Sequence, residues 1–307
     1  MGTLVVEGSQ LEGCRVLAHL HRRKHSEICV AEDPQTHQLF AIKHVLCKDD
    51  SHAVERALNE YEIGRQLSHP NIRRVFRLVK RRRLFWLDEV SEILELIDAP
   101  GLDEKKPESQ ADAVCIFRQI ASALDYMHGR GFVHNNIKPC NILVEDDLTV
   151  HIIDLGKACR IGATMSRVHG TPGYMAPEQA HCHPLTPQTD MYNLGATMYA
   201  VLCDAHIPTA SAPVRGDRLK TKYRCVMEEH RIPLPKPPHE RNPEIHHILS
   251  KLIMDCIHPI PETRPASMSD VALRLELIET LLRKPLHDTD GFDAQFDDED
   301  EEAEIRA

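Results

Sequence analysis

The chain has 307 residues, of which 37 are basic and 47 acidic, so its formal net charge is −10 with histidine neutral. With 42% hydrophobic residues it is neither disordered nor fibrous, and its acidic balance argues against non-specific polyanion binding by the chain as a whole. No apolar run approaches the roughly 20 residues that a membrane-spanning helix needs, and the first residues lack a secretory pattern, so we expect a cytoplasmic protein that does not span a membrane.

Short runs of β-type residues, with one helical segment among them, fill the first hundred residues. The predicted strands are 28–31, 39–45, 72–79 and 93–97, and the predicted helix is 53–67. From Ser109 onward the pattern becomes helical, with apolar residues at a 3.6 period over 113–127, 245–257 and 268–282. The pattern predicts a small sheet with one helix, followed by a larger helical body.

The last residues differ in composition from the rest of the chain. Nine of the residues between Asp290 and Glu304 are Asp or Glu, and they follow the last helical pattern, which ends near Lys284. Such a run repels itself and has little apolar surface to bury, so we expect a disordered acidic tail over 285–307.

Cysteine and histidine offer little sign of a metal site. The ten cysteines are scattered and include no Cys-x-x-Cys pair, which is typical of reduced thiols. His181, Cys182 and His183 form the tightest ligand-like cluster, but adjacent residues seldom converge on one tetrahedral metal, so we expect a structural or exposed role for them.

Four short segments in a fixed order carry the chemistry. They are AIK at 41–43, HNNIKPCNILV at 134–144, IDLG at 153–156 and GTPGYMAPE at 170–178. Together with Glu60, Asp190 and Arg264, they resemble the eukaryotic-type (Hanks-type) protein kinase signature set over about 265 residues. The stretch from Pro177 to Tyr199 is most similar to bacterial Ser/Thr members of that family.

The resemblance implies an α+β, two-lobed protein kinase fold. Its small lobe of antiparallel strands with one helix would span 1–95, and its mainly helical lobe would span 96–284. The family transfers the γ-phosphate of ATP to protein hydroxyls with the help of Mg²⁺. We therefore expect ATP and Mg²⁺ as ligands, and a protein substrate or a regulated protein partner.

The resemblance also implies roles for residues at the phosphate end of the site. Lys43 would hold the α- and β-phosphates, and Glu60 would pair with its ammonium. Asp154 and Asn141 would bind Mg²⁺, since their oxygen atoms suit a hard cation, and Lys138 would contact the γ-phosphate. The competing interpretation makes Lys43 and Glu60 surface residues and Asp154 the cap of a turn.

A second set of residues would surround the adenine ring. By the same resemblance, Ala41 and Leu143 would lie above and below it, and the backbone between Glu95 and Ile97 would meet its edge. Leu94 would then guard the back of the pocket.

The sequence departs from the family at the catalytic loop, where His134-Asn135-Asn136 stands in place of His-Arg-Asp. A carboxamide at 136 can orient a hydroxyl but cannot accept its proton near neutral pH. Asn135 replaces the arginine that in many members grips a phosphate on the activation loop. We therefore do not expect phosphorylation of Thr164, Ser166 or Thr171 to switch the protein by that route.

The glycine-rich loop of the family is also missing. His21, Arg23 and Ser26 occupy its three glycine places, and only Ile28 keeps the apolar closing position. Without glycines the backbone cannot approach phosphates closely, so the amide cradle is expected to be lost. Either a side chain of the 22–24 segment pairs with a phosphate instead, or the segment is an exposed basic turn, or it fills the cleft.

A further basic run, 80–83, is predicted to lie on the turn between two strands. It is either a solvated turn or, together with 22–24, a patch that docks an acidic partner or the acidic tail of this chain. Nucleic acid is the less favoured partner.

Three functions follow from these features. The leading hypothesis is a pseudokinase, a kinase-like domain that binds ATP and Mg²⁺, is catalytically impaired and acts through a protein partner. The rival is a slow but active Ser/Thr kinase in which Asn136 orients the hydroxyl, since Lys138-Pro139 resembles the Ser/Thr type of loop. The third is a binding module that takes no nucleotide.

Overall fold

The computed structural model describes residues 5–22, 26–47, 51–83, 85–168, 170–210, 228 and 231–283. These residues form a small lobe built on one sheet and a larger, mainly helical lobe, which confirms the predicted two-lobed α+β fold. The predicted acidic tail, 285–307, lies outside the described residues, as do 23–25 of the predicted basic turn.

The small lobe is a six-stranded antiparallel sheet with the order β1-β2-β3-β4-β6-β5. Its strands are β1 (Gln10–Leu11), β2 (Cys14–Arg22), β3 (Ser26–Glu32), β4 (Leu39–Leu46), β5 (Val75–Arg83) and β6 (Trp86–Glu95). Helix α1 (Ser51–Gly64) packs on the sheet, where Ala53, Val54 and Ala57 bury their side chains against Val45 and Val90. Helix α1 thereby presents Glu60 to the strand that carries Lys43.

The predicted strand 72–79 begins three residues late because its first part joins the other lobe. Ile72 forms a parallel bridge with Ile152, and Arg73 donates its backbone N–H to the Ile152 carbonyl oxygen over 3.0 Å. This connection ties the segment before β5 to the large lobe.

The basic run 80–83 lies within β5, so its predicted placement on a turn is wrong. Lys80 pairs with Val90 of β6, and Arg81 pairs with Glu89. β5 is an edge strand, where charged side chains are favoured because they discourage pairing with another sheet. Arg81 is also ion-paired, with 3.0 Å between its Nε and a carboxylate oxygen of Glu12.

The large lobe surrounds helix α2 (Gln110–Gly129), which starts where the Ser109 side chain accepts the Asp112 N–H. Phe117, Ile120 and Leu124 of α2 have no exposed surface, so this helix forms the centre of the core. The other helices are α3 (Pro177–Ala180), α4 (Pro187–Cys203), α5 (Pro238–Arg241), α6 (His247–Cys256) and α7 (Met268–Arg283).

Four short strands of the large lobe frame the catalytic loop. They pair as β7 (Phe132–Val133) with β10 (Cys159–Arg160), and as β8 (Ile142–Val144) with β9 (Val150–Ile152). The loop 134–141 therefore leaves one strand pair and enters the other. The Asp-Leu-Gly segment, 154–156, follows β9 closely.

The described ranges contain nine cysteines that form no disulfide. No group of three or more His, Cys, Asp or Glu residues within these ranges converges as a metal site. None of the helices seen there combines the length and apolarity required to cross a bilayer.

Candidate active site

A cavity of about 480 Å³ lies between the lobes and brings together the residues predicted for the phosphate and metal end. Its described lining includes, among others, Lys43 from β4, Asp154 after β9 and three residues of the catalytic loop, Asn136, Lys138 and Asn141. These residues are up to 111 positions apart in the sequence and meet only through the fold.

Lys43 and Glu60 form the predicted ion pair, with 2.5 Å between Nζ and Oε2. Glu60 is 1% exposed, so it is not a surface residue. Its other oxygen accepts from Arg73 over 3.1 Å, a contact that the sequence did not predict. Glu60 therefore joins two cations and fixes the direction of Lys43.

A second carboxylate, Glu92, reaches Lys43 from β6 and was also missed. Glu92 is opposite Lys43 in the sheet, is fully buried, and lies 3.5 Å from Nζ. Neither of its oxygens has a hydrogen-bond partner among the described residues. Burial, with the nearby charge of Glu60, raises the pKa of the Glu92 carboxyl well above its usual value.

Lys43 keeps its charge in this setting. Burial alone would lower the pKa of the ammonium, but the carboxylates of Glu60 and Asp154 outweigh burial and raise it. A charged ammonium on the cavity lining suits an anionic ligand.

Asp154 is an ionised carboxylate despite its burial. Burial would raise its pKa, but the positive charges of Lys43 and Arg73 outweigh that effect and lower it. Its backbone is left-handed, with φ of 64°, and its side chain accepts the Gly156 N–H over 3.4 Å. Asp154 therefore caps a turn, as the competing interpretation predicted, and it also lines the cavity.

Asn141 offers the second oxygen for a cation. Its amide N–H donates to the Asn136 carbonyl oxygen over 2.8 Å. Among the described residues, its side-chain oxygen receives only a weak 3.8 Å contact from the Cys140 thiol. A carboxylate and an amide oxygen on one cavity form a donor set that fits Mg²⁺. A Mg²⁺ ion bound there would neutralise negative charge on the phosphates of a nucleotide.

The four residues predicted around adenine are not among the described residues that line this cavity. Ala41 and Leu143 each lie two positions along the chain from a lining residue. Ala41 packs against the fully buried Leu94. Glu95, whose backbone is predicted to meet the base, is held by Arg74 through a 2.8 Å ion pair, and Ile97 is half-buried.

Asn136 stands at the position predicted for the base, and a cation lies beside it. Lys157 donates from Nζ to the Asn136 side-chain oxygen over 3.2 Å. Burial, together with the charge of Lys138, lowers the pKa of the Lys157 ammonium. The sequence analysis did not predict a role for Lys157, although its place directly after Asp-Leu-Gly puts it near the predicted metal ligand Asp154.

Asp190, at the start of α4, holds the catalytic loop in place. Its carboxylate accepts the backbone N–H groups of His134 and Asn135 over 2.8 and 2.7 Å, and it contacts the His128 ring at 2.9 Å. Burial lowers the pKa of His134, which favours a neutral ring. The loop is thus anchored from the core of the large lobe.

Arg264 performs a similar anchoring role for the segment that ends at Glu178. The two side chains are buried and form two hydrogen bonds of 2.7 and 3.1 Å. Arg264 also donates to the carbonyl oxygens of His258, Pro259 and Gln188.

The segment that replaces the glycine-rich loop contributes side chains to the cavity. His21, Ser26 and Ile28 are among its lining residues. Arg22, a candidate phosphate ligand, instead donates to the Val5 carbonyl oxygen and lies 3.5 Å from Glu27.

Two lobes joined around a cavity with this lysine, glutamate, asparagine and aspartate set define a kinase-type domain. Residues 22–274 match the family model described as the protein kinase domain, so the chain belongs to the protein kinase family.

Three curated relatives support this assignment. The chain is 32% identical to myosin light chain kinase A of Dictyostelium discoideum over 216 residues, or 68% of this chain and 70% of that protein. It is 30% identical to serine/threonine-protein kinase PkaA of Streptomyces coelicolor over 79% of this chain and 43% of that protein. It is 28% identical to serine/threonine-protein kinase PknD of Chlamydia caviae over 84% of this chain and 30% of that protein.

The relatives place the domain among Ser/Thr protein kinases. They include both bacterial proteins and an amoebal one, so the special likeness to bacterial members stays a prediction. The chain spans less than half the length of the two bacterial relatives.

Proposed function

We propose that this domain binds ATP with Mg²⁺ in the cavity, transfers phosphate poorly, and acts mainly through a bound protein partner. One observation carries the proposal. Lys43, Asn141 and Asp154 line the same cavity, with Glu60 directing Lys43, while the base position of that cavity holds a carboxamide.

The chain's own residues account for nucleotide binding. Lys43 would pair with the α- and β-phosphates, and the ion pair with Glu60 keeps its ammonium directed into the cavity. Lys138 would meet the γ-phosphate, and Asp154 with Asn141 would hold Mg²⁺. The assembled pair needs no rearrangement before a nucleotide binds.

The same residues account for poor transfer. Asn136 cannot take a proton from a hydroxyl, and loss of a general base costs about 10² to 10⁴ in rate, or roughly 3–5 kcal/mol of barrier. Positioning and charge neutralisation remain, and they supply much of the catalysis of phosphoryl transfer.

A slow but active Ser/Thr kinase is the second candidate. The retained Lys43, Asn141 and Asp154 favour it, since a pure binding module has no need of them. Its acceptor would be a protein hydroxyl, and Asn136 would orient that hydroxyl by hydrogen bonding.

The test is transfer of labelled γ-phosphate from ATP with Mg²⁺ to a generic basic protein. Wild type is compared with Asp154→Ala and with Lys105→Met, a control at an exposed lysine that pairs with Asp146. We expect slow transfer at most, equal in the control and absent in Asp154→Ala. Rapid transfer by wild type would contradict the impairment, and transfer that survives Asp154→Ala would contradict the assigned metal site.

Binding of nucleotide is measured on the same proteins by thermal unfolding, because a ligand that binds only the folded state raises its stability. Stabilisation without transfer supports the partner-binding role. The absence of both supports the module that takes no nucleotide and contradicts the proposal.

A further inference from the structure

The two catalytic-loop positions that depart from the family motif bond to the same residue. Asn135 donates from Nδ2 to the backbone carbonyl oxygen of Lys157 over 3.1 Å. Lys157 in turn donates from Nζ to the Asn136 side-chain oxygen over 3.2 Å. The two asparagines and the lysine therefore form one hydrogen-bonded unit.

Neighbouring contacts fix this unit from both sides. Gln179 donates to the side-chain oxygen of Asn135 over 2.6 Å, which leaves the Asn135 amide N–H to face Lys157. Asn59 of α1 donates to the carbonyl oxygens that precede and follow Lys157, over 3.2 and 2.8 Å. The backbone of Lys157 is thus held by both lobes, and its side chain is directed at Asn136.

The chemistry of the ammonium decides which end of the Asn136 amide it meets. An ammonium has donors and no acceptor, so the atom 3.2 Å away must be the amide oxygen. We propose that Lys157 is a positioning residue that holds the Asn136 amide in this orientation, so that its N–H groups meet the hydroxyl of a protein substrate. This inference rests on the proposed function, because it concerns the transfer that remains in that site.

The orientation determines how the hydroxyl is held. An amide N–H donates to the hydroxyl oxygen and leaves the hydroxyl proton free, whereas the amide oxygen would accept a hydrogen bond from that proton, which could then not point at a phosphoryl oxygen. In the step that follows, the hydroxyl oxygen bonds to the γ-phosphorus of ATP. The bond from that phosphorus to the β–γ bridging oxygen breaks, ADP leaves with the electron pair, and the hydroxyl proton passes to a γ-phosphoryl oxygen.

The same contact predicts that Asn136→Asp by itself will gain little phosphate transfer. The carboxylate of Asn136→Asp would lie beside the Lys157 ammonium and form an ion pair, which engages the oxygen that should receive the proton. Removing the ammonium should release it. The two substitutions are therefore expected to be non-additive, as residues in contact are.

The experiment measures kcat and KM for a peptide substrate with MgATP. It compares wild type with Lys157→Met, Lys157→Arg, Asn136→Asp and the double variant Asn136→Asp/Lys157→Met, and uses Lys105→Met as the control. Lys157→Met should lower kcat about tenfold, the worth of one charge-assisted hydrogen bond, with KM unchanged. Lys157→Arg, which keeps the donor, should stay within about threefold of wild type, and Asn136→Asp should gain about tenfold more in the Met background.

Two results would overturn the inference: Lys157→Met transferring as wild type does, or Asn136→Asp giving the same gain in both backgrounds. Silence of every variant while MgATP still raises the unfolding temperature would also overturn it. If MgATP does not raise that temperature in wild type, the proposed function itself has failed. Thermal stabilisation therefore separates the two failures.

Discussion

Glu60 is the residue whose removal should disturb the site most, because it is buried and neutralises two largely buried cations. The side chains of Lys43 and Arg73 are only 19% and 10% exposed, and both pair with Glu60. Glu60→Gln keeps the shape and removes the charge, and leaving buried charges without a partner costs about 3–5 kcal/mol. At this chain length about 2 °C is lost for each kcal/mol, so the unfolding midpoint should fall by about 6–10 °C.

Arg73→Met is the informative comparison, because it leaves the pair between Glu60 and Lys43 in place. It removes one hydrogen bond to a charged group, worth about 1.5–3 kcal/mol, so the midpoint should fall by about 3–6 °C. The midpoint of the double variant should fall by less than the sum of the two single falls. The reason is that Arg73→Met removes one of the two cations that Glu60→Gln leaves without a partner.

The assay is thermal unfolding followed by circular dichroism, with and without MgATP. Arg65→Met serves as the control, because Arg65 is exposed and its pair with Glu62 is 3.8 Å long. The nucleotide-induced rise in midpoint should shrink in Glu60→Gln, where Lys43 loses its direction, and persist in Arg73→Met. A larger fall for Arg73→Met than for Glu60→Gln, or strict additivity in the double variant, would refute the reasoning.

Three further predictions concern stability and coupling. The folded Glu92 carboxyl binds its proton more tightly than the unfolded one, so this group costs the folded state stability as pH rises above about 4.3. At pH 7.5 Glu92→Gln should therefore raise the unfolding midpoint above that of wild type, and by more than it does at pH 4.5. A variant midpoint below that of wild type at pH 7.5 would mean that an ionised Glu92 supports Lys43. Arg264→Met leaves the buried Glu178 without its cation and should lower the free energy of unfolding in urea by about 3–5 kcal/mol. The double variant Glu178→Gln/Arg264→Met should recover part of that loss. A loss below about 1 kcal/mol in Arg264→Met would contradict the buried pair. Asn59→Ala removes the donor to the segment around Lys157 and should speed hydrogen exchange at 155–158, and unchanged protection there would contradict that role.

Local patterns in the sequence were enough to predict the two-lobed fold and three of the residues that gather in the cavity, whose roles toward phosphate and metal stay predictions. The 3.6 periodicity of 113–127 located α2. Short motifs indicated Lys43 within β4, Asn141 before β8 and Asp154 after β9. The roles that the resemblance gives to the adenine-facing residues stay predictions.

The remaining features depend on contacts between distant segments. Arg73 reaches Glu60 across 13 positions, and Lys157 reaches Asn136 across 21, with no local pattern to indicate either contact. Glu92 lies between Ser91 and Ile93 in β6 and is brought to Lys43 only by strand register. The misplaced run at 80–83 shows the converse, since charge is typical of turns but an edge strand tolerates it equally well.

The central claim is that the cavity binds nucleotide through Lys43 and a metal held by Asp154. It is tested most directly by the unfolding midpoint of wild type with ATP and Mg²⁺, with ATP and a chelator, and in Asp154→Asn. The account predicts a rise with MgATP of about 5 °C at a hundredfold excess over Kd, a smaller rise with the chelator, and no Mg²⁺-dependent part in Asp154→Asn. An unchanged midpoint of wild type in millimolar MgATP would contradict it.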